Sequence, residues 1–260
     1  MRVLVTRPAH EAQPWVQALA AAGHQALALP LIAIGPAPDA AAVVAAWRAL
    51  PRYRGVMFVS AQAVRGFFAH RPAQAPQPPW PCEAWATGPG TARALQAAGV
   101  AAAQIVSPAA DAVRFDSESL WPLVAPTLQA GQRVLIVRGA DGTDATAPGG
   151  AGRDWLARQL QAAGLTVDFV ASYQRLPPAL DAAALQLARA AASDGSVWLF
   201  SSSEAVRHLR AALPQQSWQN ARALATHPRI ATAAREAGFG QVQTTQPTLE
   251  AVVASLESLG

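Results

Sequence analysis

Lysine is missing altogether from the 260 residues, and all 20 basic residues are arginine. That excludes a P-loop lysine, a Schiff-base lysine and pyridoxal-phosphate chemistry of the usual kind. The single cysteine, Cys82, excludes an internal disulfide and any multi-cysteine metal site. It is what a reducing, cytoplasmic compartment gives. The five histidines (His10, His24, His70, His208, His227) never approach the spacing of a zinc helix motif, so no metal is expected. Charged residues make up only 14% against 52% hydrophobic, which argues against disorder and for substantial cores. No uninterrupted apolar run of about 18 residues exists; the best, 26–34, is short and broken by Pro30. The opening Val3-Leu4-Val5 followed by Arg7-Pro8 leaves no room for a signal-peptide core, so a soluble protein with no membrane partner is expected. The net charge of +4 is mild, and the arginines are scattered with few aromatics beside them. Nucleic acid is therefore not expected. A small polyanionic ligand suits the balance better.

What is there is organised by an internal repeat. RVLVTRP from Arg2 is similar to RVLIVRG from Arg133, each an apolar run closed by Arg and a turn former, Pro8 or Gly139. Each leads into a helical pattern containing a tryptophan, Trp15 or Trp155, and ending in Ala-Ala-Gly at Gly23 or Gly164. MFVSAQAVRG from Met57 matches LFSSSEAVRH from Leu199, and WATGPGTARALQAAG from Trp85 matches LATHPRIATAAREAG from Leu224. Pro108 with DSESLWPLV from Asp116 parallels Pro247 with TLEAVVASL from Thr248. The order A-B-C-D-A-B-C-D points to duplication of a unit of about 125 residues, a usual domain size.

Each repeat reads as strand, turn and helix. Val3-Leu4-Val5 and the runs 56–59, 134–137 and 197–200 are short and continuously apolar, as strands buried on both faces are. Each leads to a cap or turn residue (Thr6, Ser60, Arg138-Gly139, Ser202), and helices close at Gly23, Gly99, Gly164 and Gly238. Alternating strands and helices predict parallel α/β sheets covered by helices. Ligands on such sheets bind beyond the carboxyl ends of the strands, where helix N-termini also point. Arg7, Ser60, Thr87, Arg138, Ser202 and Thr226 then lie on the functional edge. Two similar lobes offer two such edges, with a cleft between them as the expected ligand site. The Pro-punctuated stretches 29–36 and 170–178 are extended in character and are the candidate connectors. The Pro/Gln-rich tract 71–81 reads as a surface loop, and 141–152 as a flexible insertion with no large apolar anchor.

The chemistry on that edge is sparse. GPGTA from Gly88 lacks the third glycine of a dinucleotide fingerprint, and its copy THPRIA from Thr226 has none. Pro89 and Pro228 instead suit a first helical turn whose free amides can meet an anion. Ser60, Ser202 and Ser203 read first as N-caps, a role compatible with a carboxylate at the same helix start. No Gly-x-Ser-x-Gly elbow surrounds them, which argues against a nucleophilic serine. His227 reads as a surface loop residue, with titration near neutrality as the alternative. Glu118 and Glu250 sit near helix starts, where the dipole favours them. No convincing general acid/base pair emerges. For Arg7 and Arg138, just beyond a strand in both repeats, structural pairing and ligand contact stand as equal readings. Tyr173, one of two tyrosines, lies on a connector, either packed or with its phenol facing the cleft.

Taken in chain order, the motifs resemble the bacterial uroporphyrinogen-III synthases. They are VLVTRP with a helix and AGH from Ala22, FVSAQAV from Phe58, GPGTARAL from Gly88, DSESL from Asp116 and LIVRGADG from Leu135. RDWLARQLQAAG from Arg153, SYQR from Ser172, FSSSEAV from Phe200, ATHPRIA from Ala225 and PTLEAVV from Pro247 complete the series. The resemblance implies two parallel α/β lobes with segment exchange: lobe one 1–31 plus 177–260, lobe two 38–168. The connectors 32–37 and 169–176 would pair as a two-stranded hinge. It implies a lyase without cofactor that closes the linear tetrapyrrole hydroxymethylbilane to uroporphyrinogen III, inverting the last pyrrole and losing water. The course would run through an azafulvene and a spiro intermediate. Tyr173 would assist hydroxide departure, with Arg7, Ser60, Thr91, Arg138, Ser202 and Thr226 as substrate contacts. Ile230 stands where other members carry Thr, and the insertion interrupts the pattern ahead of Arg153. A monomer is expected, and transient contact with the preceding pathway enzyme is the one protein partner the resemblance leaves room for. The competing reading is a non-catalytic two-lobed protein that binds a small polycarboxylate.

Overall fold

The structure, a computed structural model, describes residues 1–73, 80–109, 112, 115–141 and 151–259. Most of the insertion at 141–152, residues 74–79 of the Pro/Gln tract and the Arg153 side chain lie outside the described residues. The chain runs β1 (Arg2–Val5), α1 (Ala9–Ala21), β2 (Gln25–Ala28), β3 (Ala33–Gly35) and α2 (Ala40–Ala49). It continues with β4 (Gly55–Phe58), α3 (Ala61–Ala69), β5 (Glu83–Ala86), α4 (Pro89–Ala97), β6 (Ile105–Val106) and α5 (Ser117–Val124). Next come β7 (Arg133–Asp141), α6 (Ala151–Ala162), β8 (Thr166–Leu176) and α7 (Ala182–Ala190). The last elements are β9 (Val197–Phe200), α8 (Ser203–Ala212), β10 (Arg222–Ala225), α9 (Pro228–Glu236), β11 (Gln241–Thr244) and α10 (Leu249–Glu257).

Two compact units result, Met1–Ile34 with Leu176–Gly260, and Gly35–Arg175. The sheet of the first has the order β11-β10-β9-β1-β2, and the six-stranded sheet of the second has β3-β8-β7-β4-β5-β6. The pairings β1 with β2 and β9, and β10 with β9 and β11, are parallel. So are β4 with β5 and β7, β5 with β6, and β7 with β8. The repeat explains the order. Its first A segment, β1 and β2, has joined the second B-C-D strands, β9 to β11. Its second A segment, β7 and β8, has joined β4 to β6. The exchange is visible in the register: Val3 is opposite Val197 and Leu4 opposite Trp198, while Val56 is opposite Leu135.

Continuous apolar strands need helices on both faces, and the burial pattern shows both faces covered. In the first unit Val3, Val5, Val197 and Leu199 pack with Leu19, Val252 and Leu256. The alternate residues Leu4, Trp198 and Phe200 point the other way, into a core with Leu209, Trp218 and Phe239. There the Trp218 and Phe239 rings stack with centroids 5.2 Å apart. In the second unit Met57, Trp85, Val134 and Ile136 pack with Leu120, Leu156 and Leu160. Elsewhere in this unit Trp47 stacks on Phe67 at 4.7 Å and donates its indole N–H to the Phe67 carbonyl at 2.8 Å. Each large apolar side chain buried this way contributes about 1.5–3 kcal/mol. The repeat glycines Gly23, Gly99, Gly164 and Gly238 have φ of 85°, 92°, 81° and 96°, the left-handed geometry that closes a helix.

Two local readings need correction. Thr6 is not the cap of α1: the N-cap is Pro8, with no side-chain cap hydrogen bond, and the buried Thr6 hydroxyl donates to the Leu199 carbonyl at 2.8 Å. The hydroxyl therefore ties β1 to β9. Arg138 does not follow its strand but lies within it, because the long β8 gives β7 a partner as far as Asp141.

Candidate functional site

The order β2-β1-β9-β10-β11 makes β1 and β9 the point where connections leave in opposite directions, which is where open α/β sheets take ligands. Arg7 and Ser202 follow these strands. Ser202 caps α8, its Oγ accepting from the Glu204 N–H at 3.1 Å. Thr226 follows β10, half-buried, its N–H donating to the Phe200 carbonyl at 3.0 Å. His227 caps α9, its Nδ1 accepting from the Arg229 N–H at 3.1 Å. Arg7 is already engaged: its guanidinium lies 4.6 Å over the Trp15 ring and 3.4 Å from Glu11 Oε2. Burial lowers its pKa and Glu11 opposes that shift. Its buried Nε has no hydrogen-bond partner among the described residues. Ile230, in the first turn of α9, is 6% exposed and belongs to the apolar core, so no hydroxyl is offered at that position.

The second unit repeats the arrangement at β4 and β7. Ser60 caps α3, its Oγ accepting from the Ala63 N–H at 3.1 Å. Arg138, 7% exposed, lies with its guanidinium 4.8 Å over the Phe169 ring. Thr91 is buried in the first turn of α4. Glu118 and, in the other unit, Glu250 stand in first turns as expected.

Tyr173 is held at this edge from several sides. The β7–β8 register shifts between Arg138 and Gly139, so Ala171 faces Arg138 and Tyr173 faces Gly139. Ser172 is the extra residue of this bulge, and bulges re-aim the side chains around them. Its hydroxyl donates to the Ala63 carbonyl at 2.8 Å. Gly66 lies against the same backbone, where a Cβ would come 2.3 Å from the Ser172 carbonyl oxygen. Helix α3 is thereby held against the bulge, with Ser60 Oγ 3.5 Å from the Tyr173 hydroxyl. Arg175 Nη2 donates to that hydroxyl at 3.2 Å. The Tyr173 ring, 2% exposed, lies over Gly139, where a Cβ would come 2.5 Å from Cζ.

Of the sequence candidates, Ser60 and Tyr173 are brought into contact, and Arg138 adjoins them through the Gly139 register. Gly66, Ser172 and Arg175 carry no candidate role in the sequence, and Gly139, expected to form a turn, lies inside β7 because β8 pairs with that strand as far as Asp141. The only trace the first three leave in the sequence is position, inside VRG and SYQR. A recess of about 720 Å³ in the first unit is lined by residues including Pro8, His10, Leu29, Pro30, Asp181 and Leu187. None of the seven candidate residues lines it. Among the described residues no helix is long and apolar enough to cross a membrane.

Two parallel α/β units built by segment exchange, each with an arginine and a serine cap at its strand switch point, define a discontinuous, repeat-built α/β protein. The family model described as uroporphyrinogen-III synthase HemD matches residues 13–254. The chain belongs to the uroporphyrinogen-III synthase family, a family of enzymes. A uroporphyrinogen-III synthase of Chlorobaculum parvum is 32% identical over 143 residues, 53% of each chain. The chain thus spans about half the length of that curated relative. A mutant uroporphyrinogen III synthase of Thermus thermophilus has a similar fold, with TM-score 0.56 and 18% identity over 100% of this chain and 98% of that one. The Helicobacter pylori uroporphyrinogen-III synthetase gives 0.56 and 17%, covering 100% of both chains.

Proposed function

We propose that this protein is a lyase that cyclises hydroxymethylbilane to uroporphyrinogen III, inverting the last pyrrole and releasing water. The family match over residues 13–254 is the observation that carries the reading. The substrate brings eight carboxylates. Arg7 and Arg138, the helix starts capped by Ser60 and Ser202, and the polar Thr91 and Thr226 are the groups assigned to them. Helix N-termini and guanidinium groups favour anions for the same electrostatic reason.

Tyr173 is assigned to the chemical step. A phenol carries its proton at neutral pH. As the C–O bond of the hydroxymethyl group breaks, the electron pair leaves on oxygen, and the Tyr173 proton makes the departing group water. The azafulvene left behind is attacked by the substituted end of the last pyrrole, giving the spiro intermediate. After rearrangement and closure, the ring carbon loses a proton and the phenol is restored. Overall one water leaves. The substrate ionises readily, so holding it in one conformation is the larger part of the task. On this reading the protein works in the cytoplasm as a monomer without a cofactor, and its lobes are 1–31 plus 177–260 and 38–168, joined through 32–37 and 169–176. Expression of 38–168 as a separate chain tests that boundary by whether it folds.

The function is tested by adding the protein to freshly made hydroxymethylbilane and resolving the isomers. Type III product formed faster than the spontaneous type I isomer supports the reading. Only type I product, with saturable substrate binding, would replace it with the polycarboxylate-binding alternative.

A further inference from the structure

We infer that Arg175 is a positioning residue for the Tyr173 phenol: it fixes which way that hydroxyl donates. The inference rests on the role proposed above for Tyr173. Residues two apart on a strand share a face. Arg175 therefore follows Tyr173 along one side of β8, its guanidinium 5.7 Å from the ring centroid and Nη2 3.2 Å from the hydroxyl. An arginine has donors only. The Tyr173 oxygen must accept from it, and the phenol's own proton is turned away from Arg175.

Among the described residues, the other side-chain hydrogen-bonding group beside that hydroxyl is Ser60 Oγ at 3.5 Å. That is beyond the usual 2.5–3.0 Å range of a hydroxyl pair. Ser60 Oγ also accepts already from the Ala63 N–H. The proton is therefore aimed along the Ser60 side of the phenol without being tightly held there. Ring contact with Gly139 leaves the hydroxyl little freedom to swing away from this geometry. When the proton moves to the departing hydroxide, a permanent positive charge stands 3.2 Å from the oxygen left negative. Arg175 thus acts through Tyr173 and needs no contact with substrate.

The chain has two tyrosines, so a Tyr53→Phe background with isotope-labelled tyrosine gives a single Cζ resonance, from Tyr173. Arg175→Gln should move that resonance in the unliganded protein, and Arg175→Lys should move it less. In turnover, Arg175→Gln should lower kcat about fivefold to tenfold with KM within about twofold, and Arg175→Lys should recover part of the loss. Added to Tyr173→Phe, Arg175→Gln should have no further effect on kcat. An unmoved resonance would overturn the hydrogen bond while leaving the Tyr173 reading intact. Equal losses with and without the phenol, or a rise confined to KM, would overturn it by making Arg175 a substrate anchor. Parent-like turnover of Tyr173→Phe, with the resonance still moved by Arg175→Gln, would remove the chemical role of both residues.

Discussion

Replacing Gly139 by alanine adds one methyl group at the point where the Tyr173 ring lies on the β7 backbone. The added Cβ would stand 2.5, 2.7 and 2.8 Å from Cζ, Cε2 and the hydroxyl oxygen, against ordinary contacts of 3.4–4 Å. Relief takes a displacement of about 1 Å, by the ring or by the strand. The ring is 2% exposed and held at its far end by Arg175, so the displacement is not free. Overpacking of this kind costs about 1–3 kcal/mol. At about 2–4 °C per kcal/mol, the melting temperature should fall by about 2–12 °C. Turnover should fall further than stability suggests, since a reacting group misplaced by about 1 Å loses up to about a hundredfold. The control is Gly90→Ala in the first turn of α4, where a Cβ meets nothing within 4 Å. It should be neutral or stabilising by up to about 1 kcal/mol. Truncating the ring should remove the conflict, so Gly139→Ala made in a Tyr173→Ala background should cost almost nothing. Calorimetry on the four proteins of this cycle, with isomer-resolved turnover of Gly139→Ala and Gly90→Ala, decides it. A Gly139→Ala protein with the melting temperature and type III output of the parent would refute the ring placement.

Tyr173→Phe should keep the fold and its melting temperature, lower turnover about tenfold to a hundredfold, and shift the product toward type I; unchanged type III formation would leave catalysis to conformation alone. Arg138→Ala should raise KM about tenfold or more with a smaller change in kcat, since a desolvated charge-assisted contact contributes about 1.5–3 kcal/mol. Arg7→Ala should do the same and also lose stability through Trp15 and Glu11; unaltered KM in both variants would assign the arginines to structure. The Cys82 thiol, pushed by burial from 9.0 up to about 12, favours folding fully below pH about 9, and the contribution is lost as pH rises toward about 12. Cys82→Ala should flatten the alkaline end of the stability profile, and an unchanged slope between those limits would count against a buried thiol.

The sequence by itself determined the class of fold and its symmetry. Continuously apolar runs such as Val3-Leu4-Val5, and the glycines that close the repeat helices, are local features that need no partner to be read. The serine caps are local too: Ser60 and Ser202 each bind an N–H two or three residues on. Which strands share a sheet was legible only because the repeat order, with the family resemblance, implied an exchange of A segments. What tertiary structure decided is the surroundings of Tyr173. The bulge at Ser172 depends on Ala63 and Gly66 of another element, and the ring's seat depends on Gly139 across the sheet. A glycine needed for room carries no local signal, unlike one needed for a positive φ. Thr6 misled for the same reason, since its hydroxyl went to Leu199, 193 residues away, instead of to the helix beside it. Contacts over such separations follow from how finished strands pack, and no window of neighbouring residues contains them.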